Sequence, residues 1–118
     1  MKQKVGQHIV RIPPQDIDAE KALLGSIMVR PIGVHDIMDI IRPETFYVEK
    51  HGMIYKEMLD LITKGDPIDL VSMTTKLRER KVLDTIGGID YLQEIVAMVP
   101  ASTNIGHYAD IVSKKSSL

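Results

Sequence analysis

Two adjacent glycines, Gly87 and Gly88, precede a helical apolar pattern in the stretch LDTIGGIDYLQEIV. Backbone N–H groups at such a place can bind a phosphate, because they point at the ligand from the positive end of the helix. A Walker-type loop also needs the pattern GxxxxGK[ST], but here Ile89, Asp90 and Tyr91 follow the pair. The sequence therefore predicts a backbone role, with positive φ at Gly87 and a close approach of neighbouring segments at Gly88.

Other side chains with chemical potential are dispersed. The four histidines are His8, His35, His51 and His107, and there is neither an HExxH pattern nor a cysteine to complete a zinc site. His51 lies on the apolar side of its predicted helix, where a hydrogen-bonded structural role is more frequent than a ligand or general base. Asp66 and Asp69, spaced around Pro67, fit a turn and a helix N-cap better than a catalytic pair. We expect no catalytic residue, no metal site and no cofactor in this chain.

A basic cluster, KLRERK, covers Lys76 to Lys81. Glu79 interrupts it, and the whole chain has 15 Lys and Arg against 16 Asp and Glu, a net charge of −1. Domains that bind phosphate backbones usually carry a large positive surplus. We therefore interpret the cluster as a solvated helix face. A small nucleic-acid-binding module, using this cluster with Lys114 and Lys115, is the alternative.

Composition indicates one ordinary globular domain. The 118 residues are 44% hydrophobic and 26% charged, and with only 4% aromatic residues the core must be mainly aliphatic. The absence of cysteine excludes disulfides and suits a reducing compartment. No apolar run approaches the length of about 18 residues that crosses a membrane, and the amino terminus lacks a signal-peptide core. We expect a soluble, cytoplasmic protein.

Helical periodicity dominates the segments that would position these residues. The first predicted helix has Asp16 as its N-cap, with Asp18 and Glu20 as negative charges in its first turn. It ends near residue 30. Gly25 inside this helix costs about 1 kcal/mol against alanine. A close approach of another helix would offset that cost.

Further helices follow with clear punctuation. We predict a second helix over about 33–41 and a short turn in the sequence PETF. A third helix covers about 49–64 and ends at Gly65 as a left-handed C-cap. Asp69 caps the fourth helix, and the glycine pair precedes the fifth, which Pro100 ends.

The last predicted helix is capped by Ser102, Thr103 or Asn104. Its apolar stripe consists of Ile105, Tyr108, Ala109 and Val112. No stop signal follows, which favours continuation into a longer protein. No run of four to eight residues alternates as a strand would. The sequence thus predicts an all-α fold, a compact bundle of about six short helices.

Five segments, in order, resemble the amino-terminal domain of DnaB-type bacterial replicative DNA helicases. They are RIPPQDIDAEKALLGSIM, PETFYVEKHGMIY, GDPIDLVSMTTKL, LDTIGGIDYL and VPASTNIGHYADIV, from Arg11 to Ser113. Each block alone is weak evidence for the resemblance, but five blocks in the right order are specific for this family. The matching positions with a structural role are Gly25, His51, Pro67, Asp69, Gly87, Gly88, Pro100 and Asn104. Gly52 departs from the pattern, because many relatives carry a long polar or basic side chain there.

The resemblance implies an all-α head, followed in the family by a helical hairpin and a RecA-like ATPase that uses ATP and Mg²⁺. Residues 1–12 would be a flexible tail, 13–113 the head, and 114–118 the start of the hairpin region. Family heads build a ring of three dimers in the hexamer, and primase docks on that ring. The chain is therefore expected to be a non-catalytic assembly and primase-docking domain, in a parent that unwinds DNA 5′–3′ at the replication fork using ATP.

The expected partner-contact residues are Tyr91, Ile105, Tyr108 and Val112. Tyrosine is amphipathic and frequent at interfaces. The stripe of the last helix would continue towards the hairpin. An equally good interpretation places Tyr91 in the core, with only its hydroxyl at the rim.

Overall fold

Six α-helices and two short 3₁₀ helices make up the part of the chain that the computed structural model describes, residues 14–100 and 104–116. The α-helices are α1 Pro14–Val29, α2 Glu49–Lys64, α3 Leu70–Glu79, α4 Leu83–Ile86, α5 Gly88–Ala97 and α6 Ile105–Ser116. The 3₁₀ helices are Pro31–Asp36 and Pro43–Thr45. No strand occurs within those ranges, so the all-α prediction is confirmed. The predicted tail over 1–12 and the cap candidates Ser102 and Thr103 lie outside them.

Helix α1 is the centre of the bundle, because α2, α5 and α6 all pack against it. Its side chains Leu23, Leu24 and Ile27 are fully buried. A helix that is surrounded by neighbours can be apolar on several sides, unlike a surface helix. Removing each such side chain from water stabilises the fold by about 1.5–3 kcal/mol.

Two glycines allow helices and backbone to approach closely. A Cβ added at Gly25 would lie 2.4 Å from the carbonyl oxygen of Ile95, so α1 and α5 touch through backbone at this point. A Cβ added at Gly52 would lie 2.5 Å from the carbonyl oxygen of Pro43. The unusual glycine at position 52 therefore lets the 3₁₀ helix Pro43–Thr45 pack directly on α2.

Capping groups begin and end the helices near the predicted positions. Gly65, with φ of 75°, ends α2 in the left-handed conformation. Asp69 accepts a hydrogen bond from the backbone N–H of Ser72 at 2.7 Å and so caps α3, while Pro67 is exposed in the connection. Asn104 accepts from the N–H of His107 at 3.0 Å and caps α6. Helix α5 ends at Ala97, three residues before Pro100.

Some local predictions were wrong. Helix α1 begins at Pro14, so Asp16 lies within its first turn and is not its N-cap, and Asp18 and Glu20 lie beyond that turn. The predicted second helix is a 3₁₀ helix followed by turns, because a period of three places Val34 and Ile37 on one buried side. The four-residue helix α4 was not predicted, since one turn is too short to show a period.

Candidate functional site

A chain of hydrogen bonds runs from the core to the surface where α1, α2 and α5 meet. Nδ1 of His51 lies 2.7 Å from a carboxylate oxygen of Glu20, and Nε2 of His51 lies 2.6 Å from the hydroxyl of Tyr91. His51 is 0% exposed, Glu20 is 3% exposed, and Tyr91 is half-buried. We call these three residues the Glu20–His51–Tyr91 network.

The Glu20 carboxylate also serves the start of α2. It accepts hydrogen bonds from the backbone N–H groups of Tyr47 at 2.7 Å and Val48 at 3.3 Å. Val48 is the N-cap residue of α2 and has no capping side chain of its own. A carboxylate from α1 thus provides the negative charge that the amino end of α2 favours. This single group joins the two helices.

The hydrogen bonds link the three side chains in series. Nδ1 of His51 is bonded to the carboxylate of Glu20, and Nε2 of His51 is bonded to the hydroxyl of Tyr91. A Glu–His–hydroxyl chain resembles a catalytic relay, in which the hydroxyl would be an activated nucleophile. Here burial, with smaller contributions from Glu94 and Glu20, raises the pKa of Tyr91 to about 12. The network therefore fixes the position of Tyr91.

Two lysines lie over the Tyr91 ring at the surface end of the network. Nζ of Lys50 lies 3.8 Å from the ring centroid, and Nζ of Lys21 lies 5.6 Å from it. Lys21 also forms an ion pair with Glu94 at 2.7 Å. The imidazole of His51 lies nearly parallel to the same ring, with 5.9 Å between centroids and 16° between planes. The hydrogen bond with His51 and the cation–π contacts both add to the fixed orientation of Tyr91.

The first glycine of the pair packs closely against Tyr91. Gly87 and Gly88 both have positive φ, 109° and 74°. A Cβ at Gly87 would lie 2.8 Å from Cβ of Tyr91, whereas nothing lies within 4 Å of a Cβ at Gly88. The predicted close approach therefore occurs at Gly87 and not at Gly88. The reason is that Gly87 ends α4 directly beneath the first turn of α5.

Acidic side chains of α2 bind half of the basic cluster. Asp60 accepts hydrogen bonds from Lys76 and, at 3.3 Å, from Arg80, and Lys64 forms an ion pair with it at 3.1 Å. Arg80 also bonds Glu57 at 3.1 Å. The hydrogen bonds from Lys76 and Lys64 lower the pKa of Asp60 to about 2. Two of the four cations between positions 76 and 81 are thus engaged within the fold, which weakens the nucleic-acid alternative.

The α6 candidates are distributed between core and surface. Ala109 and Val112 are buried, and Ile105 and Tyr108 are half-buried, where α6 packs on α1. None of them takes part in the Glu20–His51–Tyr91 network. A partner could reach Val112 only if α6 moved. The contact roles of Tyr91 and these α6 residues stay predictions.

Sequence reasoning missed Glu20 as a network residue. It shares a helical stripe with Leu23, Leu24 and Ile27, all fully buried, and an acid on such a stripe signals a buried carboxylate with partners elsewhere. Two kinds of site do not occur in the part of the chain with described positions. No group of three or more His, Asp or Glu there could hold a metal ion. No helix among those residues is long and apolar enough to cross a bilayer.

Comparison with known proteins places this arrangement in a family. The family model for the DnaB-like helicase N-terminal domain matches residues 12–114. The chain is 43% identical over 108 residues to the replicative DNA helicase DnaC of Bacillus subtilis, covering 92% of this chain and 24% of that protein. It thus spans about a quarter of the length of the curated relatives it matches.

Solved structures agree with the sequence comparison. The N-terminal domain of DnaB helicase from Mycobacterium tuberculosis superposes with a TM-score of 0.84 and 37% identity, covering 90% of this chain and 77% of that one. A DnaB-like replicative helicase, described together with its interactions with primase, gives a TM-score of 0.75 and 34% identity, covering 85% of this chain and 24% of that one. The chain therefore belongs to the family of DnaB-like helicase N-terminal domains.

Proposed function

We propose that this chain is a non-catalytic assembly and primase-docking domain of a replicative DNA helicase. The observation that carries the proposal is its similarity to a DnaB-like helicase whose structure was described with its primase interactions, at 34% identity and a TM-score of 0.75. The Glu20–His51–Tyr91 network supports a structural role for this region, since it joins side chains of α1, α2 and α5.

The docking surface would include Tyr91 and the exposed side of α6. The Glu20–His51–Tyr91 network holds α1, α2 and α5 together, so the Tyr91 ring has one orientation before any partner arrives. A pre-organised side chain loses less conformational entropy on binding than a mobile one. A rigid head with such a surface suits a domain that binds a partner and does not catalyse a reaction.

The remaining three quarters of the parent would carry the activity. We propose an ATP- and Mg²⁺-dependent helicase that unwinds DNA 5′–3′ in the cytoplasm, with this head needing no cofactor of its own. Heads would assemble as a trimer of dimers on one side of the hexamer. The length of the curated relatives, of which this chain covers 24%, supports a longer parent protein.

Binding to the primase of the same organism tests the docking role directly. Isothermal titration of the 118-residue chain with that primase should give saturable binding, and the chain should hydrolyse no ATP. Tyr91→Ala should weaken binding, with Lys81→Ala as a control on an exposed residue outside the network. A folded Tyr91→Ala chain that binds as tightly as wild type would remove Tyr91 from the surface. Absence of wild-type binding would refute the docking role.

A further inference from the structure

Lys50 is held at the surface by an aromatic ring and not by an acid. Its Nζ lies 3.8 Å from the centroid of Tyr91, and no carboxylate among the residues with described positions forms an ion pair with it. Lys50 is also the second residue of α2, where the helix dipole disfavours positive charge. The stability of α2 therefore gives no reason for a lysine at this position.

The ring beneath Lys50 is itself fixed from inside. Its hydroxyl is bonded to His51, and the buried Glu20 holds the other side of that imidazole. The ammonium group therefore rests on a platform whose orientation is set by the core. A charge that is already in place binds its counter-charge with little loss of side-chain freedom.

Neighbouring charges leave Lys50 available to a partner. Glu94 is bound by Lys21 at 2.7 Å, and that contact is the main reason that the pKa of Glu94 is lowered, with a smaller effect from Lys50. Lys21, Lys50 and Glu94 together carry one net positive charge. Glu49 and Asp90 lie beside this group in sequence and would repel a polyanion such as a nucleic acid backbone. With these two acids the five charges sum to −1, so what favours a single carboxylate is the Lys50 ammonium itself, which forms no ion pair among the described residues.

We propose that Lys50 and Tyr91 form a carboxylate-recognition site on the docking surface, and that an acidic side chain of primase binds there. The inference rests on the proposed docking function and names the chemistry of one contact within it. The carboxylate would accept a charge-assisted hydrogen bond from the Lys50 ammonium, which is stronger than a bond between neutral groups. The Tyr91 ring would form the floor of the site.

Substitution of Lys50 tests the inference by titration with the primase of the same organism. Lys50→Met keeps the aliphatic stem over the ring and removes the charge, and it should weaken binding by about tenfold at low salt. Lys50→Glu should weaken binding further, because like charges would then meet. Lys56→Glu is the matched control, an exposed lysine of the same helix, and should bind as wild type. The difference between wild type and Lys50→Met should shrink as salt rises.

Reversing the charges on both proteins provides a second test, in which the expected result is a restoration of binding and not a loss of it. Surface carboxylates of primase are changed to lysine one at a time, and one of them should restore binding to Lys50→Glu. Wild-type primase binding with no effect of either Lys50 variant would overturn this inference and leave the docking role intact. Restoration at no position would also overturn it. Failure of the wild-type chain to bind primase would refute both. Thermal unfolding of each variant checks that the fold is retained.

Discussion

The hydroxyl of Tyr91 lies 2.6 Å from Nε2 of His51, although 40 residues separate them in the chain. Through this contact, a buried imidazole on α2 fixes a side chain at the surface of α5. The same imidazole is hydrogen-bonded to Glu20 on α1. The same bond determines whether Tyr91 is a mobile surface residue or a fixed one. Its consequences can be measured without any partner.

Tyr91→Phe should lower the free energy of unfolding by about 1–3 kcal/mol, because the buried Nε2 of His51 loses its hydrogen-bond partner. Urea unfolding followed by circular dichroism measures this change. Tyr108→Phe is the control, since that hydroxyl forms no hydrogen bond within the described part of the chain, and its cost should be small. Equal effects of the two substitutions would contradict the role given to the His51 contact.

Gly25→Ala should destabilise the fold by about 1–3 kcal/mol, because the new methyl group would overlap backbone atoms that cannot easily move. The atom it meets is the carbonyl oxygen of Ile95, at 2.4 Å. Gly106→Ala in α6 is the opposite case, where the nearest atom is at an ordinary 3.5 Å. That change should stabilise by up to about 1 kcal/mol. A stabilising Gly25→Ala would show that α1 and α5 are farther apart than described.

Asp60 should make stability depend on pH in the acid range. Hydrogen bonds from Lys76 and Lys64 lower its pKa to about 2, against about 3.9 for an aspartate in an unfolded chain. A lowered folded-state pKa gives stability that is present above about pH 4 and is lost as pH falls through about 2. Wild type should therefore lose its advantage over Asp60→Asn in that window. Urea midpoints of both proteins at several pH values would measure this, and a constant difference would contradict it.

Single-stranded DNA should bind this chain weakly. Changing salt from about 50 to about 200 mM should alter the affinity by less than about tenfold, because few phosphates would be neutralised. The reason is that Lys76 and Arg80 are engaged with Asp60 and Glu57. Fluorescence anisotropy with a labelled oligonucleotide measures both quantities. Tight binding with a steep salt dependence, lost in Arg78→Ala with Lys81→Ala, would favour the nucleic-acid-binding alternative.

Features whose cause is local were predictable from the sequence. Helix α2 covers Glu49–Lys64 and ends at Gly65, as the apolar period and the glycine indicated. Asp69 caps α3 for the same kind of reason, since the aspartate and the N–H that it accepts from are three residues apart. The turn in PETF was also predicted, from Pro43, and is the 3₁₀ helix Pro43–Thr45. The single turn α4 gave no such signal, and the segment over about 33–41, which begins inside the 3₁₀ helix Pro31–Asp36, was predicted as α-helix.

By itself, the sequence determined the all-α class, most helix limits and the family, because caps, periods and ordered motif blocks are carried by neighbouring residues. Only the tertiary structure decided that Glu20, His51 and Tyr91 form one network and that Lys50 rests on its outer end. The two hydrogen bonds of the network join residues 31 and 40 positions apart, and they can form only once three helices have packed. A local sequence pattern cannot reveal a contact between residues that only the folded chain brings together.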